Sequence, residues 1–395
     1  MLKSRNSTDL EAFAQATAWR WLLATRLATL AATLLFLSSS LSCASSRSRP
    51  STDLGAKTAT TSTERAVEDL VCGQKTEMGT RFKICLHLRN EPGDFSARAD
   101  KAARDLEAAF AKIAEMNLWM SDWLETSELS QVNARAGQEA VTVRPELGQL
   151  LQMTLDVARA SGGALDPSFN VFFGLYNFKP GQEREPSATE ITQRRPLIRW
   201  QDIEIKSGPS PQLKLRRRGM KMGLGAVGQG YAAQIVADEL RQLGYPGGYV
   251  DGSGDTVFWG KTPKKTLWTT AIRDPRDHAK IILRVYGTDM AITTAGDDEK
   301  FFWRNGRRVH HIIDPRTGRP ASASRQVTVI ARRGFDADAW DTAAFVMGPE
   351  RAIPILEERG LHAVIVDRHG KVWITKGLEK VETQWGTAYV PNWRN

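Results

Sequence analysis

Helical and strand periodicities are interleaved along this chain without a regular βα alternation and without an internal repeat, which limits its fold more than any single motif does. Thr80–Leu88 alternates as a strand, and Ala97–Met120 places Leu106, Phe110, Ile113 and Met120 near helical spacing. Pro145 stands in the first turn of a second helix. Leu147, Leu150, Leu151, Leu155 and Ala158 form its apolar face, and Gly162-Gly163 ends it. Gln182–Arg195 is polar and irregular and reads as a surface loop. Gly228–Leu243 reads as a helix entered through glycines, followed by a strand at Gly248–Val250 and a turn at Asp251–Asp255. Asp338–Met347 and Glu350–Arg359 read as helices, and Ala363–Asp367 with Lys371–Thr375 as a closing hairpin around His369-Gly370. This order predicts an α+β fold, a mixed sheet with packed helices, in place of a doubly wound parallel sheet.

The first part of the chain has a different character. Arg20 and Arg26 precede the apolar run Leu27–Leu37, then come the small residues Ser38–Ser42 and Cys43, the layout of an export signal. The run is short beside the roughly 20 residues a spanning helix needs. Ser40-Leu41-Ser42-Cys43 resembles a bacterial lipobox, with Ser where Leu is usual. A cleaved secretory signal and a retained anchor are the alternatives. Residues 1–42 are therefore expected to be a signal peptide of lipoprotein type, and 43–66 a flexible Ser/Thr-rich tether that buries too little to offset its ordering entropy. Residues 67–395 are expected to be the folded domain, anchored to the membrane on the exported side of a bacterial cell envelope. Two internal cysteines, Cys72 and Cys85, allow one disulfide or two separate buried thiols. The formal net charge is +9, but the charges are spread and the only tight basic run is Arg216–Arg218. No nucleic-acid partner is expected; a basic surface also suits phosphorylated substrates or an anionic membrane face.

Four segments carry groups capable of chemistry. In Leu224–Ala232 three glycines, Gly225, Gly228 and Gly230, run into a helix, where close backbone approach and a helix start suit phosphate; such turns are also common without a ligand. Asp338 and Thr342 are four apart and share a helix face, so a carboxylate and a hydroxyl together suit a hard cation such as Mg²⁺. The competing reading makes Asp338 a first-turn residue facing backbone amides. His310–Pro320 gathers His, Asp, Arg and Thr in one short loop, a dense set for proton transfer and anion binding that is equally turn chemistry. Thr293–Asp297 is a turn whose hydroxyls and amides, with Thr294 and Gly296 at its centre, suit a phosphate or sugar.

Met78-Gly79-Thr80, Ser127-Glu128-Leu129 with Asn133, Gly163–Pro167, Gly225–Ala232, Gly252–Asp255, Thr294–Glu299, His311–Pro320 and Asp338–Thr342 follow one another in an order that resembles the FAD:protein FMN transferase family, the ApbE-like flavin transferases. The resemblance spans roughly residues 75–380, and His311–Pro320 with Asp338–Thr342 is its most specific part. It implies a single ApbE-like domain that binds FAD and Mg²⁺. Such an enzyme moves the FMN half onto a Thr or Ser hydroxyl of an acceptor protein and leaves AMP. It further implies a metal held by Asp338, Thr342 and the carbonyl of Gly228, with His311 helping to activate the acceptor hydroxyl through an imidazole of near-neutral pKa. Met78 and Tyr176 become contacts to the ring system, Ser127 and Asp166 lie near the nucleotide, and Gly225, Gly228, Gln229 and Gly230 meet the pyrophosphate.

Departures from the family pattern are informative. The family loop Asp-Leu-Gly-x-x-Ala-Lys-Gly-Tyr-Ala has Gly223, Gly228 and Gln229 here at its Asp, Ala and Lys positions, so a fixed positive charge beside the phosphates is missing. Thr-Ser-Gly-Asp-Tyr appears as Thr294–Asp298 with Ala295 and Asp298 at the second and last places, and Tyr176-Asn177-Phe178 replaces a common Trp-Gly-Phe. Two other outcomes therefore compete with transfer: a metal-dependent FAD pyrophosphatase, in which water replaces the hydroxyl, and a non-catalytic FAD-binding lipoprotein.

Overall fold

Residues 70–88, 94–383 and 386–393 are described in a computed structural model; the expected signal peptide, Cys43 and tether lie outside them. Strands β1 (Leu70–Glu77) and β2 (Thr80–His87) form a hairpin, followed by helix α1 (Phe95–Met120), which Asp94 caps at its start through the Ser96 amide. Next come α2 (Glu128–Ala134), β3 (Val141–Thr142), α3 (Pro145–Ala160) with Pro145 at its first position, α4 (Ala188–Arg194), β4 (Ile203–Lys206) and β5 (Gln212–Leu215). The chain then builds α5 (Gly228–Gln242), β6 (Gly247–Gly252), β7 (Asp255–Gly260), β8 (Trp268–Asp274), β9 (Asp277–Gly287) and β10 (Met290–Gly296). Short ribbons follow, β11 (Phe301–Arg304) with β12 (Arg307–His310) and β13 (Ile313–Asp314) with β14 (Arg319–Pro320). β15 (Ser324–Ala331), α6 (Gly334–Met347), α7 (Pro349–Glu358), β16 (His362–Asp367), β17 (Val372–Ile374), β18 (Leu378–Thr383) and β19 (Gly386–Pro391) complete it.

The principal sheet has eight strands in the order β1-β2-β6-β7-β10-β15-β16-β17, every pair antiparallel. Mixed pairing is confined to the four-stranded sheet β18-β19-β9-β8, where β19 runs parallel to β9. Side-chain alternation divides the strands between two cores. Val257, Ala291, Ala295, Val327, Val329 and Ala363 face one way and pack with helical residues Phe110, Val236 and Phe345; Phe258, Ile292, Ile330 and Val364 face the other and pack with Trp268, Leu283 and Val285 of the smaller sheet. The result is three layers: helices, large sheet, small sheet. Helix α6 lies deep in the first, with buried residues on every side, as expected of a helix wrapped by neighbours and not lying at a surface.

Three local expectations change: Thr293–Asp297 is not a turn, because Thr293–Gly296 are the last residues of strand β10 and pair with β15. Gln182–Arg195 is not wholly a loop: α4 forms inside it, nucleated by a capping box in which the Ser187 hydroxyl accepts from the Glu190 amide while the Glu190 carboxylate accepts from the Ser187 amide. Asp338 is not in a first turn, because α6 begins at Gly334. Of the two states open to the cysteines, the disulfide forms: Cys72 and Cys85 face one another across β1 and β2 and are bonded, which ties the edge strand to its neighbour.

Candidate active site

The site is built where α5 and α6 touch. A Cβ on Gly230 would stand 2.3 Å from the Gly334 carbonyl oxygen and 2.6 Å from the Asp338 Cβ, and one on Gly334 would stand 2.1 Å from the Gly230 carbonyl oxygen. Only glycine at both positions lets the two backbones meet so closely. That approach carries Asp338 onto the first turn of α5, where its carboxylate accepts from the Gly230 amide at 2.8 Å, with the Gln229 amide adding to its support. The loop leading in is pinned by two asparagines. Asn133 accepts from the Met222 amide and donates to its carbonyl, at 2.7 and 2.8 Å, and Asn170 donates to the same carbonyl at 3.0 Å.

Two further carboxylates join Asp338. Asp341 lies three residues on along the same helix face, and Asp255 opens β7 after the Ser253-Gly254 turn; one oxygen from each of the three lies within 4.8 Å of the others. Thr342 donates to Asp341 at 3.1 Å. Burial pushes Asp338 up to about 7, against the pull of the two amides. Asp341 and Asp255 are driven well above the usual carboxylate range by burial first and then by the charges of their neighbours.

Together these residues line a cavity of about 420 Å³. Its titratable lining is Asp122, Asp166, Asp255, Glu299, Asp338 and Asp341 with His311, and no Lys or Arg is among the described lining residues. Gly225 and Gln229 form one wall, and Thr294 and Gly296 another, with the Thr294 hydroxyl 2.9 Å from that of Thr328. Trp123 and Phe173 stand edge to face, 4.2 Å between ring centres, and are 69% and 53% exposed at the mouth.

The two histidines separate. His310 donates to the Ala321 carbonyl at 2.8 Å and packs edge-on against Phe345 inside the core. His311 lines the cavity, its backbone amide donating to Lys300 at 3.0 Å and its ring lying edge-on to Phe178 at 6.5 Å. A near-neutral imidazole is not what this setting produces: burial first, then the Lys300 charge and the neighbouring His310, takes the His311 pKa down to about 4. The ring is neutral at physiological pH.

Other residues singled out from sequence have settled places. Ser127 is fully buried and outside the cavity lining, capping α2 by accepting from the Ser130 amide at 3.0 Å and donating to the Ser121 carbonyl. Asp166 lines the cavity, yet its oxygens accept from the Ser168 amide and hydroxyl at 2.8 and 2.6 Å and from the Trp200 amide at 3.1 Å. Tyr176 stacks on Phe178 with ring centres 6.0 Å apart and donates to the Gly318 carbonyl at 2.8 Å, outside the lining. Met78 occupies the β1–β2 turn at φ 51°, with its Cε 3.4 Å from where a Gly228 Cβ would lie. Gly228 is the first residue of α5 and, like Gly230, sits behind the lining. Asp255, Glu299 and Asp341 lie in motif segments that the sequence singles out but have no role assigned from it, and Asp122 lies in none of those segments. The three-residue step from Asp338 to Asp341 was the available signal for one of them; the others come from distant segments.

The ApbE family model matches residues 78–365. An FAD:protein FMN transferase of Treponema pallidum is 30% identical over 288 residues, covering 69% of this chain and 80% of that protein. One of Klebsiella pneumoniae is 27% identical over 329 residues, covering 81% and 91%. Among solved structures, the ApbE protein of Thermotoga maritima superposes with a TM-score of 0.70 at 26% identity, covering 78% of this chain and 97% of that one. Pseudomonas stutzeri flavinyl transferase ApbE in its apo form gives 0.67 at 26%, covering 78% and 95%. The match runs through the strands and helices that build the cavity, from the Met78 turn to β16, and on that ground the chain belongs to the ApbE family and has the single α+β domain of its flavin transferases.

Proposed function

We propose that this protein transfers the FMN moiety of FAD to a Thr or Ser hydroxyl of an acceptor protein, releases AMP, and depends on Mg²⁺. The observation that carries the reading is the convergence of Asp255, Asp338 and Asp341 at the start of α5, in a cavity with no Lys or Arg among its described lining residues. Two buried carboxylates and a half-buried third without a Lys or Arg counter-charge are a poor resting arrangement and a good set of hard oxygen donors. Asp338, Thr342 and the Gly228 carbonyl would hold the ion, with Asp341 and Asp255 alongside. When bound, Mg²⁺ supplies the positive charge that a pyrophosphate requires in this acidic cavity.

The protein's own groups then have defined tasks. The Gly225–Gln229 wall faces the pyrophosphate, and Gln229 supplies an amide where the family uses an ammonium. The acceptor oxygen attacks the phosphorus on the riboflavin side, the bridging P–O bond breaks, and AMP leaves with that oxygen. His311, neutral because it is buried, takes the hydroxyl proton on its unprotonated ring nitrogen. The experiment is to supply FAD and Mg²⁺ with and without an acceptor protein. AMP with protein-bound flavin is expected. AMP with free FMN would make the protein a pyrophosphatase, and tight FAD binding without AMP would make it a carrier.

The same reading places the protein at the bacterial cell envelope, held to the membrane surface by a lipid on Cys43. The layout of residues 20–43 supports this, as does the Cys72–Cys85 disulfide, a bond favoured in oxidising compartments. Mass spectrometry of the mature N-terminus should find an acylated Cys43; a start at Ala44 or later without acyl mass refutes it.

A further inference from the structure

Beside the acidic cavity lies a concentration of the opposite charge. The Glu185 side chain is 6% exposed, and three guanidinium groups converge on it: Arg307 at 2.5 Å, Arg319 at 3.3 Å and Arg304 at 3.9 Å. One carboxylate balances one of them. Neighbouring arginines do not alter the count, since Arg184 pairs with Glu190, Arg308 with Asp297 and Arg316 with Asp314. Two unit charges are therefore left over on side chains that are 44–51% exposed, held together against their mutual repulsion. A buried Glu needs one partner; three suit an anion arriving from outside.

The cluster is tied to His311 by aromatic rings. Arg304 and Arg307 face one another at the end of the β11–β12 ribbon, whose Phe302 packs on Phe178 with ring centres 5.8 Å apart. Phe178 meets His311 at 6.5 Å and Tyr176 at 6.0 Å, and Tyr176 bonds to Gly318, next to Arg319. We infer that Arg304, Arg307 and Arg319 form a docking surface for an acidic stretch of the acceptor protein, which holds the acceptor while its hydroxyl reaches the cavity. This rests on the transfer reading above. Charge complementarity argues for it twice: the rim attracts carboxylates, and the carboxylate-lined cavity repels them, so an acidic segment is held at the edge and a neutral hydroxyl enters. Ring-to-ring steps of 6.5 and 5.8 Å lead from His311 through Phe178 to Phe302, two strand residues before Arg304, a path that an extended chain covers in roughly six residues. The acidic residues of the acceptor therefore belong within about six residues of its Thr or Ser.

The test uses the full chain and two fluorescein-labelled peptides, one with a single Thr flanked by Asp three and four positions away, the other with Asn in place of each Asp. Binding is read by anisotropy at low and at physiological salt. The variant R304Q/R319Q removes the excess charge and leaves the Arg307–Glu185 pair, so no buried carboxylate is stranded; R304K/R319K keeps the charge. The Asp peptide should bind the parent and the Lys variant, weaken with salt, and lose at least about tenfold in affinity with the Gln variant. Equal binding of both peptides to the parent, or parental affinity in the Gln variant, overturns the proposal. So does arginine-dependent binding to phosphatidylglycerol vesicles with none to the peptide, which would make this a membrane contact. FAD binding is read separately by flavin fluorescence. A parent that does not bind FAD overturns the transfer reading, whereas intact FAD binding with no peptide contrast overturns only the docking surface.

Discussion

Gly230→Ala should break the joint between α5 and α6, and Gly225→Ala, five residues earlier in the same loop, should leave it untouched. At position 230 the added Cβ meets backbone, the Gly334 carbonyl oxygen at 2.3 Å, together with the Asp338 Cβ at 2.6 Å, so no side-chain rotation relieves it. The helices must part, at about 1–3 kcal/mol for overpacking in a tight interior. Parting them also stretches the Gly230 amide to Asp338 hydrogen bond, worth about 1.5–3 kcal/mol when the acceptor is charged. Together the cost is about 2.5–6 kcal/mol, a fall in melting temperature of roughly 4–9 °C for a domain of this size. At position 225 nothing lies within 4 Å of an added Cβ and φ is not positive, so the melting temperature should match the parent. That methyl enters the cavity wall, however, and should weaken FAD binding. Calorimetry and flavin fluorescence on the two variants give opposite patterns: stability lost at 230, affinity lost at 225. A Gly230→Ala protein that melts with the parent and responds to Mg²⁺ as the parent does would refute the argument that this contact positions Asp338.

Four other expectations are open to direct measurement. Asp338→Ala should lower Mg²⁺-dependent AMP release from FAD by at least about tenfold while the fold survives, and unchanged release would remove Asp338 from the metal seat. Gln229→Lys should raise AMP release by about tenfold, near 1.4 kcal/mol, by restoring a fixed charge to the cavity. In the pairing with Gly223→Asp the Asn170 side chain must yield by a few tenths of an ångström, because a Cβ at 223 would sit 3.0 Å from its Cγ; no gain in either form at saturating Mg²⁺ refutes the role of the charge. Because burial lowers His311 from 6.5 to about 4, the unfolded chain binds that proton more readily. Stability from this group is complete above about 6.5 and lost as pH falls toward 4, so the melting deficit of the parent relative to His311→Asn should grow between pH 7 and pH 5. Removing the Cys72–Cys85 bond by a double Ala substitution should cost about 3 kcal/mol by loop-closure entropy and speed amide exchange in β1 before β10 or β15, as befits an edge strand with one paired neighbour.

Helices α1, α3 and α5 are legible because their apolar residues repeat at helical spacing, and Pro145 and the Gly225–Gly230 glycines mark where α3 and α5 begin. The same local logic sets Asp338 and Thr342 on one face of a helix, and the ordered motifs from Met78 to Thr342 point to the family by themselves. Helix α4 was missed because its polar residues form no apolar stripe; its signal was the capping box at Ser187 and Glu190, a feature of its start alone. Ser127 shows the converse: a motif residue named for the nucleotide is folded inward as a helix cap.

Tertiary structure alone decided the electrostatics. Asp255 reaches Asp338 only because β7 lies under the α5–α6 joint, and the pairing of β19 with β9 joins segments far apart in the chain. Whether a basic residue faces the cavity, how far a carboxylate is raised, and whether His310 or His311 turns inward depend on burial and on neighbours from other segments. Sequence spacing reports which residues share a face of their own element. It carries no information on what that face meets, and a charge in a low-dielectric setting takes its energy from what it meets.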